Sequence, residues 1–269
     1  MKRGLESFSS EQVAAYRIFI AFIFLLPLGL FHFRKEFLIH WKAFLGMGLF
    51  GNLIPAFLFT KAETGISSAL TGMLNSLTPL FTLLLGLLFF RTKTNWVNTF
   101  GVLIGLAGAI VMLYSGLEND LSKNLWFGGF VVLATISYGM SVNIIKKYLG
   151  NVNAVTATVW SMCFIGPPAG VYLFSTDFIS RVQTSPSALS SIIYTSILGI
   201  AGTSISVIIF NILIKNTTAL FASSVTYLIP IVAIGWGIQD NESFTLLHGA
   251  GISLVLSGVY LVNKRSINY

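Results

Sequence analysis

Long stretches without a charged residue dominate this sequence. Nine such runs, of 16 to 33 residues, are separated by short charged segments, and about 20 residues suffice for a helix to cross roughly 30 Å of hydrocarbon. Because backbone groups in lipid must be satisfied within the segment, these runs are predicted to be helices. The sequence therefore predicts an all-α polytopic membrane protein with nine transmembrane helices, over Ile18–Phe33, Ala43–Thr60, Thr64–Phe90, Thr94–Leu117, Asn124–Ile145, Tyr148–Thr176, Val182–Ile214, Asn216–Gln239 and Ser243–Asn263.

The composition excludes most soluble classes of protein. Apolar residues make up 55% of the chain and charged residues 9%, whereas a soluble domain carries about a quarter charged residues. A soluble enzyme, a nucleic-acid-binding domain and a disordered chain are therefore excluded, and the lipid bilayer is the expected environment. The one cysteine, Cys163, lies inside an apolar run, so an internal disulfide is impossible. The sequence carries no signal for an oligomeric state.

Charged residues are distributed unequally between the two sides of the predicted membrane. With nine spans, one side receives ten basic residues and one acidic residue, Glu36, while the other receives six basic and eight acidic residues. Basic loops stay in the cytoplasm, so the C-terminus is predicted to be cytoplasmic in a multi-pass protein of the inner or plasma membrane. An odd number of spans then places the N-terminus outside, which suggests a leading helix before residue 1.

The sequence also resembles itself at a spacing of about 150 residues. Leu45–Gly51 aligns with Ser196–Gly202, Ala69–Pro79 with Leu220–Pro230, and Gly101–Gly108 with Gly251–Gly258. Because an odd number of spans separates the matching stretches, the two halves have opposite topology, as in the inverted repeats of secondary transporters. The predicted domains are a first repeat over residues 1–116, with four spans, and a second over residues 124–264, with five.

At these residues the chain resembles the EamA family of the drug/metabolite transporter (DMT) superfamily. Thr217–Pro230 is similar to the family's most recognisable stretch, and Ile66–Pro79 to its first-half equivalent. Leu5–Phe19 resembles the family's connection between its first and second helices, with Arg17 opening the second. The resemblance implies ten spans in two EamA repeats with both ends cytoplasmic, the first helix being absent here. It also implies export of amino acids or related metabolites.

Uncharged polar residues inside the spans are the candidate site. A polar side chain in hydrocarbon needs a partner or a wet cavity, and a proline leaves the carbonyl four positions before it without its helical hydrogen bond. Side-chain donors beside free carbonyls suit a substrate site near Pro79 and Pro230, where the inverted symmetry brings two helical turns together. Interhelical hydrogen bonding is the alternative role for each residue. The predicted substrate-binding residues are Asn52, Thr71, Asn75, Ser76, Tyr138, Asn143, Ser224 and Tyr227.

The charged and metal-ligating residues are interpreted as structural. The three histidines are isolated, so no metal or cofactor is expected. Glu63 and Lys61 flank a span end and are expected to be solvated, and Arg17 is expected to reach the interface with its long side chain. The spacing of Gly101 and Gly105 favours helix packing over a phosphate-binding loop.

Together these features predict a secondary transporter of small organic metabolites such as amino acids. Export is the expected direction, and the mechanism is alternating access between two inverted repeats. The expected partners are a small-molecule substrate and the bilayer, with no nucleic acid and no enzymatic activity. The alternatives are a non-transporting truncated remnant, a mis-started gene model and, with less support, a membrane-embedded enzyme. Such an enzyme needs a nucleophile with a base, a metal cluster or paired acids, and none converge in this sequence.

Overall fold

A computed structural model describes residues 2–30, 34–66, 68–115, 121–229, 232 and 246–263. Every regular element in these ranges is helical, which confirms the predicted all-α class. Five helical segments are long and apolar enough to cross a membrane: Ser10–Leu28, Glu36–Ala62, Trp126–Tyr148, Ala154–Ser175 and Ala188–Asn216. Shorter apolar helices cover Thr78–Phe90, Trp96–Gly108 and Gly249–Val262. The exact number of nine spans stays a prediction, and Pro230 lies outside the described residues.

The helices follow the predicted apolar runs in order. In the first half they are α1 (Lys2–Leu5), α2 (Ser10–Leu30), α3 (Arg34–Gly48), α4 (Ile54–Ala62), α5 (Ser68–Asn75), α6 (Thr78–Leu85) and α7 (Trp96–Ser115). In the second half they are α8 (Leu121–Tyr148), α9 (Ala154–Ser175), α10 (Phe178–Thr184), α11 (Ala188–Gly199), α12 (Ser206–Asn216), α13 (Ala219–Ser224) and α14 (Leu246–Asn263).

Two compact units result from the packing of these helices. Unit 1 comprises Met1–Thr64 and Ile144–Asn216, and unit 2 comprises Gly65–Asn143 and Thr217–Tyr269. Each unit therefore combines a segment from the first half of the sequence with one from the second. The division into two sequence repeats stays a prediction, and the two units show which helices bury one another.

In unit 1 the main contact is between α2 and α9. Gly166 and Gly170, about one helical turn apart on α9, lie under the rings of Phe22 and Phe19, and a Cβ at either glycine would clash with the ring above it. The small residues let the two helices approach closely, as in other membrane helix pairs. A buried cluster that includes Ile18 fills the same interface.

In unit 2 the closest contact is between α7 and α14. A Cβ at Gly101 would lie 2.9 Å from the carbonyl oxygen of Gly258, and a Cβ at Gly108 would lie 2.7 Å from that of Gly251. The two backbones thus touch at two levels, and the prediction that the α7 glycines serve helix packing is confirmed. Val102 and Val262 are fully buried beside this crossing.

Two π-helical turns interrupt the long helices of unit 1. One covers Leu49–Leu53 between α3 and α4, and the other covers Ile200–Ile205 between α11 and α12. The repeat alignment makes these turns equivalent, because Leu45–Gly51 matches Ser196–Gly202. Such π turns occur frequently at functional sites.

Candidate functional site

The helix that contains Pro79, formed by α5 and α6 and called here the first proline helix, is interrupted immediately before that proline. Helix α5 ends at Asn75, Ser76 and Leu77 form a turn, and α6 begins at Thr78. Pro79 has no N–H, so the carbonyl of Asn75 loses its helical donor. The Thr78 hydroxyl takes over that function, because its Oγ1 donates to the Asn75 carbonyl oxygen at 2.8 Å and lies 3.2 Å from Asn75 Oδ1. The expected free carbonyl is therefore satisfied inside the turn.

Ser76 holds an unsatisfied hydroxyl in this interruption. Its side chain is fully buried, and its Oγ has no hydrogen-bond partner among the described residues. A buried polar group without a partner lowers the free energy of unfolding by about 1–3 kcal/mol. The Ser76 hydroxyl therefore does not stabilise the packing of this turn. Thr71 is buried one turn earlier on α5, and Asn75 is half-buried. The first interruption thus combines a short run of hydroxyl and amide side chains.

The equivalent helix of the second half, which begins with α13 and leads to Pro230, is called here the second proline helix. It is distorted at the position that matches the break between α5 and α6. Helix α13 ends at Ser224 and continues as a 3-10 turn over Val225–Tyr227. The Ser224 hydroxyl donates to the carbonyl of Phe221 at 2.8 Å, and the Thr226 hydroxyl donates to that of Ser223 at 2.8 Å. These hydroxyls are therefore bonded within their own helix, in contrast to Ser76.

Tyr227 forms an interhelical hydrogen bond. Its side chain is fully buried, and its hydroxyl donates to the carbonyl oxygen of Val102 on α7 at 3.0 Å. Gly105, one turn further along α7, makes room for the ring: a Cβ there would lie 2.6 Å from Cε2 of Tyr227. This contact is the interhelical role that the sequence left open as an alternative to substrate binding.

The Tyr227 bond is expected to contribute measurably to stability. Replacing Tyr227 with phenylalanine removes the phenol that donates to the Val102 carbonyl, and a net loss of about 0.5–1.5 kcal/mol is expected. Thermal unfolding of the purified protein in detergent measures this loss as a lower Tm. Tyr194→Phe is the matched control, because the Tyr194 side chain is 54% exposed. Equal Tm values for the two variants would contradict the structural role of the phenol.

Asn143 joins α8 to α6 of the first proline helix by a hydrogen bond. Its Nδ2 donates to the carbonyl of Thr82 on α6 at 2.9 Å and to that of Gly139 at 2.8 Å. Gly139 permits the approach, since a Cβ there would lie 2.8 Å from the backbone nitrogen of Thr82. Tyr138 is half-buried and directly precedes this contact. Helix α8 thereby carries Tyr138 alongside α6.

The two proline helices meet inside unit 2. Helix α5 packs on the 3-10 turn and α6 packs on α13. Gly72 marks the close approach, because a Cβ there would lie 2.9 Å from Cγ2 of Ile229. Seven of the eight predicted residues belong to unit 2, whereas Asn52 is buried in the first π turn of unit 1.

Sequence reasoning missed the polar contact at the second π turn. Arg17 Nε donates to Thr203 Oγ1 at 2.7 Å, so the guanidinium has a protein partner rather than only an interfacial position. Thr203 is the repeat equivalent of Asn52, and applying the alignment to both members of the pair would have identified it. The Ser204 hydroxyl in the same turn lies 3.2 Å from the carbonyl of Ala21 and so joins the turn to α2.

The expectation of a solvated carboxylate at Glu63 is wrong. Lys61 is exposed and pairs with Glu11 at 3.3 Å, but Glu63 Oε2 is buried and has no hydrogen-bond partner among the described residues. Burial raises the pKa of the Glu63 carboxyl, while Lys2 and Arg17 act in the opposite direction. In the turn after α4, Glu63 is half-buried with one carboxylate oxygen enclosed, which its position beside a span end did not reveal.

Paired interrupted helices in a multi-pass helical protein are typical of secondary transporters. The model of the EamA-like transporter family matches residues 1–114 and 126–264. The chain is 28% identical over 266 residues to the "Uncharacterized inner membrane transporter YedA" of Escherichia coli (strain K12), over 96% of this chain and 83% of that protein. It is 26% identical over 220 residues to an "Uncharacterized transporter" of Archaeoglobus fulgidus, over 81% of this chain and 76% of that protein.

Other similarities cover nearly the whole chain. The "Uncharacterized transporter YoaV" of Bacillus subtilis is 22% identical, over 97% of this chain and 89% of that protein. A solved crystal structure of a protein has a TM-score of 0.69 at 16% identity, over 98% of this chain and 90% of that chain, which shows a shared fold. The protein belongs to the EamA-like transporter family of the DMT superfamily and is a multi-pass membrane transporter.

Proposed function

We propose that the protein is a secondary transporter that exports small organic metabolites such as amino acids. Family membership supports transport, and the side chains at the helix interruptions support the substrate class. The eight candidate residues are uncharged, so they would recognise a substrate through hydrogen bonds rather than through a fixed ion pair. The proposed mechanism is alternating access between the two inverted repeats, without chemical conversion of the substrate.

The observation that carries this proposal is the unsatisfied Ser76 hydroxyl at the break between α5 and α6. Discontinuous helices supply transporters with polar groups at the depth where substrates bind. A bound substrate that hydrogen-bonds Ser76 would remove the cost of leaving this hydroxyl unpaired. The adjacent Thr71 and Asn75 and the half-buried Tyr138 are proposed to contact the same substrate.

The other candidate residues are proposed to act at the site in a more structural way. Asn143 and Tyr227 would hold α8 and α7 against the two proline helices, since their polar atoms already bond backbone carbonyls. Ser224 would stabilise the end of α13, where the 3-10 turn begins. Asn52 is buried in the π turn of unit 1 and stays a predicted substrate-binding residue.

Vesicles containing the purified protein test the function directly. We expect them to accumulate or release one member of a panel of labelled amino acids when an ion gradient is imposed, and to leave it chemically unchanged. Asn75→Ala is expected to reduce this flux several-fold, because one ligand hydrogen bond contributes about 0.5–1.5 kcal/mol. Conversion of the labelled compound into a product would refute the assignment as a transporter.

The protein is proposed to lie in the inner or plasma membrane. In the proposed orientation its C-terminus is in the cytoplasm. Ten basic residues against one acidic residue on that side support it. A C-terminal alkaline phosphatase fusion, which is active only outside the cytoplasm, should therefore be inactive, and a C-terminal green fluorescent protein fusion should be bright. Strong phosphatase activity would reverse the orientation.

A further inference from the structure

A groove of about 580 Å³ lies in unit 1 where the beginning of α3 meets the end of α8. His40, Trp41 and Lys42 line it from α3, and Ile144 and Tyr148 line it from α8. Apolar side chains thus form part of its wall, and polar and aromatic side chains the rest. None of these residues takes part in the site proposed for transport.

Two ammonium groups lie close to the aromatic rings of residues that line this groove. Lys42 Nζ lies 5.6 Å from the centroid of the Trp41 ring, and Lys147 Nζ lies 5.4 Å from that of Tyr148. Both distances are within the range of cation–π attraction. The rings themselves are accessible, since Trp41 is 42% and Tyr148 is 51% exposed. The groove therefore presents positive charge together with amphipathic rings.

A further cation lies at this end of α8. Lys146 Nζ donates to the carbonyls of Ile214 and Lys215 at the end of α12, at 3.1 Å and 3.2 Å. The acidic residue of α3 is Glu36, in its first turn, and the sequence of α8 contains no acidic residue. The balance favours an anionic ligand.

We propose that this groove binds the headgroup of an anionic phospholipid. Lys42 and Lys147 would contact the phosphodiester, while Trp41 and Tyr148 would lie at headgroup level, the depth that such rings prefer. Basic pockets at the cytoplasmic ends of membrane helices bind headgroups of this kind. A lipid fits better than a free phosphate because Ile39, 73% exposed, continues the groove as an apolar surface for acyl chains.

Native mass spectrometry of the purified full chain tests this proposal. The probes are phosphatidylglycerol and phosphatidylcholine of identical acyl chains, titrated separately. We expect tighter binding of phosphatidylglycerol, and a loss of roughly thirtyfold in its affinity for the double variant Lys42→Gln/Lys147→Gln, as two cationic contacts at a membrane surface would give. The preference should also weaken at high salt.

A second double variant, with the same change in net charge as Lys42→Gln/Lys147→Gln, distinguishes a local binding site from a general effect of positive charge. Arg91→Gln/Lys93→Gln removes two exposed cationic side chains from unit 2 and is expected to leave the affinity for phosphatidylglycerol within about twofold of the parent, a difference of under about 0.5 kcal/mol. Equal losses in the two double variants, equal affinities for the two lipids, or displacement of the lipid by millimolar inorganic phosphate would each overturn the proposal. None of these outcomes bears on transport, which the vesicle assay tests separately.

Discussion

Replacing Gly258 with alanine is expected to destabilise unit 2 strongly, although it adds a single methyl group. A Cβ at this position would lie 2.6 Å from the carbonyl oxygen of Gly101 and 2.6 Å from the backbone nitrogen of Gly105. Since both atoms are backbone, relief requires α7 and α14 to separate. Overpacking of this kind costs about 1–3 kcal/mol and occasionally more, and the nearby bond from Tyr227 to Val102 would weaken as α7 moves.

The measurement is thermal unfolding of the purified protein in detergent, with Gly129→Ala as the matched control. Apart from its chain neighbours and the backbone of α8 itself, no heavy atom of the described residues lies within 4 Å of a Cβ built at Gly129. Alanine there should therefore be neutral or stabilising by up to about 1 kcal/mol through its higher helix propensity. We expect a clearly lower Tm for Gly258→Ala alone. Similar Tm values for the two variants would show that α7 and α14 are not in contact at this level.

Ser76→Ala is expected to reduce transport several-fold while leaving the protein as stable as before, or more stable. The substitution removes a buried hydroxyl that has no partner in the described part of the chain, so folding loses no hydrogen bond. If a substrate bonds this hydroxyl, its loss costs about 0.5–1.5 kcal/mol of binding, which is about two- to tenfold in flux at low substrate concentration. Flux into vesicles and Tm in detergent are measured on the same preparation.

Ser161→Ala provides the matched control for this experiment. Ser161 is also fully buried, but its hydroxyl donates to the carbonyl of Thr158 at 2.8 Å and lies in unit 1. We expect an equal or lower Tm for this variant and, in contrast to Ser76→Ala, an unchanged flux. Unchanged flux in Ser76→Ala would remove the main structural support for a substrate site at the first interruption.

The sequence determined where helices form and indicated some of the places where they break. Each uncharged run is predominantly apolar, so a lipid environment favours a helix, and α2 and α9 begin and end within eight residues of the predicted limits. Pro79 favours an interruption because it removes a backbone donor, and α5 ends at Asn75, four positions earlier. Proline alone does not decide this, since α2 continues through Pro27 and α9 through Pro167 and Pro168. The repeat alignment likewise places the two π turns at matching positions, although nothing in the sequence indicated their π geometry.

Only the tertiary structure determines which distant residues contact or hydrogen-bond one another. Tyr227 and Ser76 are equivalent in the repeat, yet Tyr227 bonds a carbonyl on α7 while the Ser76 hydroxyl has no partner among the described residues. Glu63 looks like a surface residue at a span end, but packing buries one of its oxygens. Composition determines whether a segment prefers lipid to water, because that preference is additive along the chain. Whether a polar atom binds a neighbour or is left for a ligand depends on which helices pack against it.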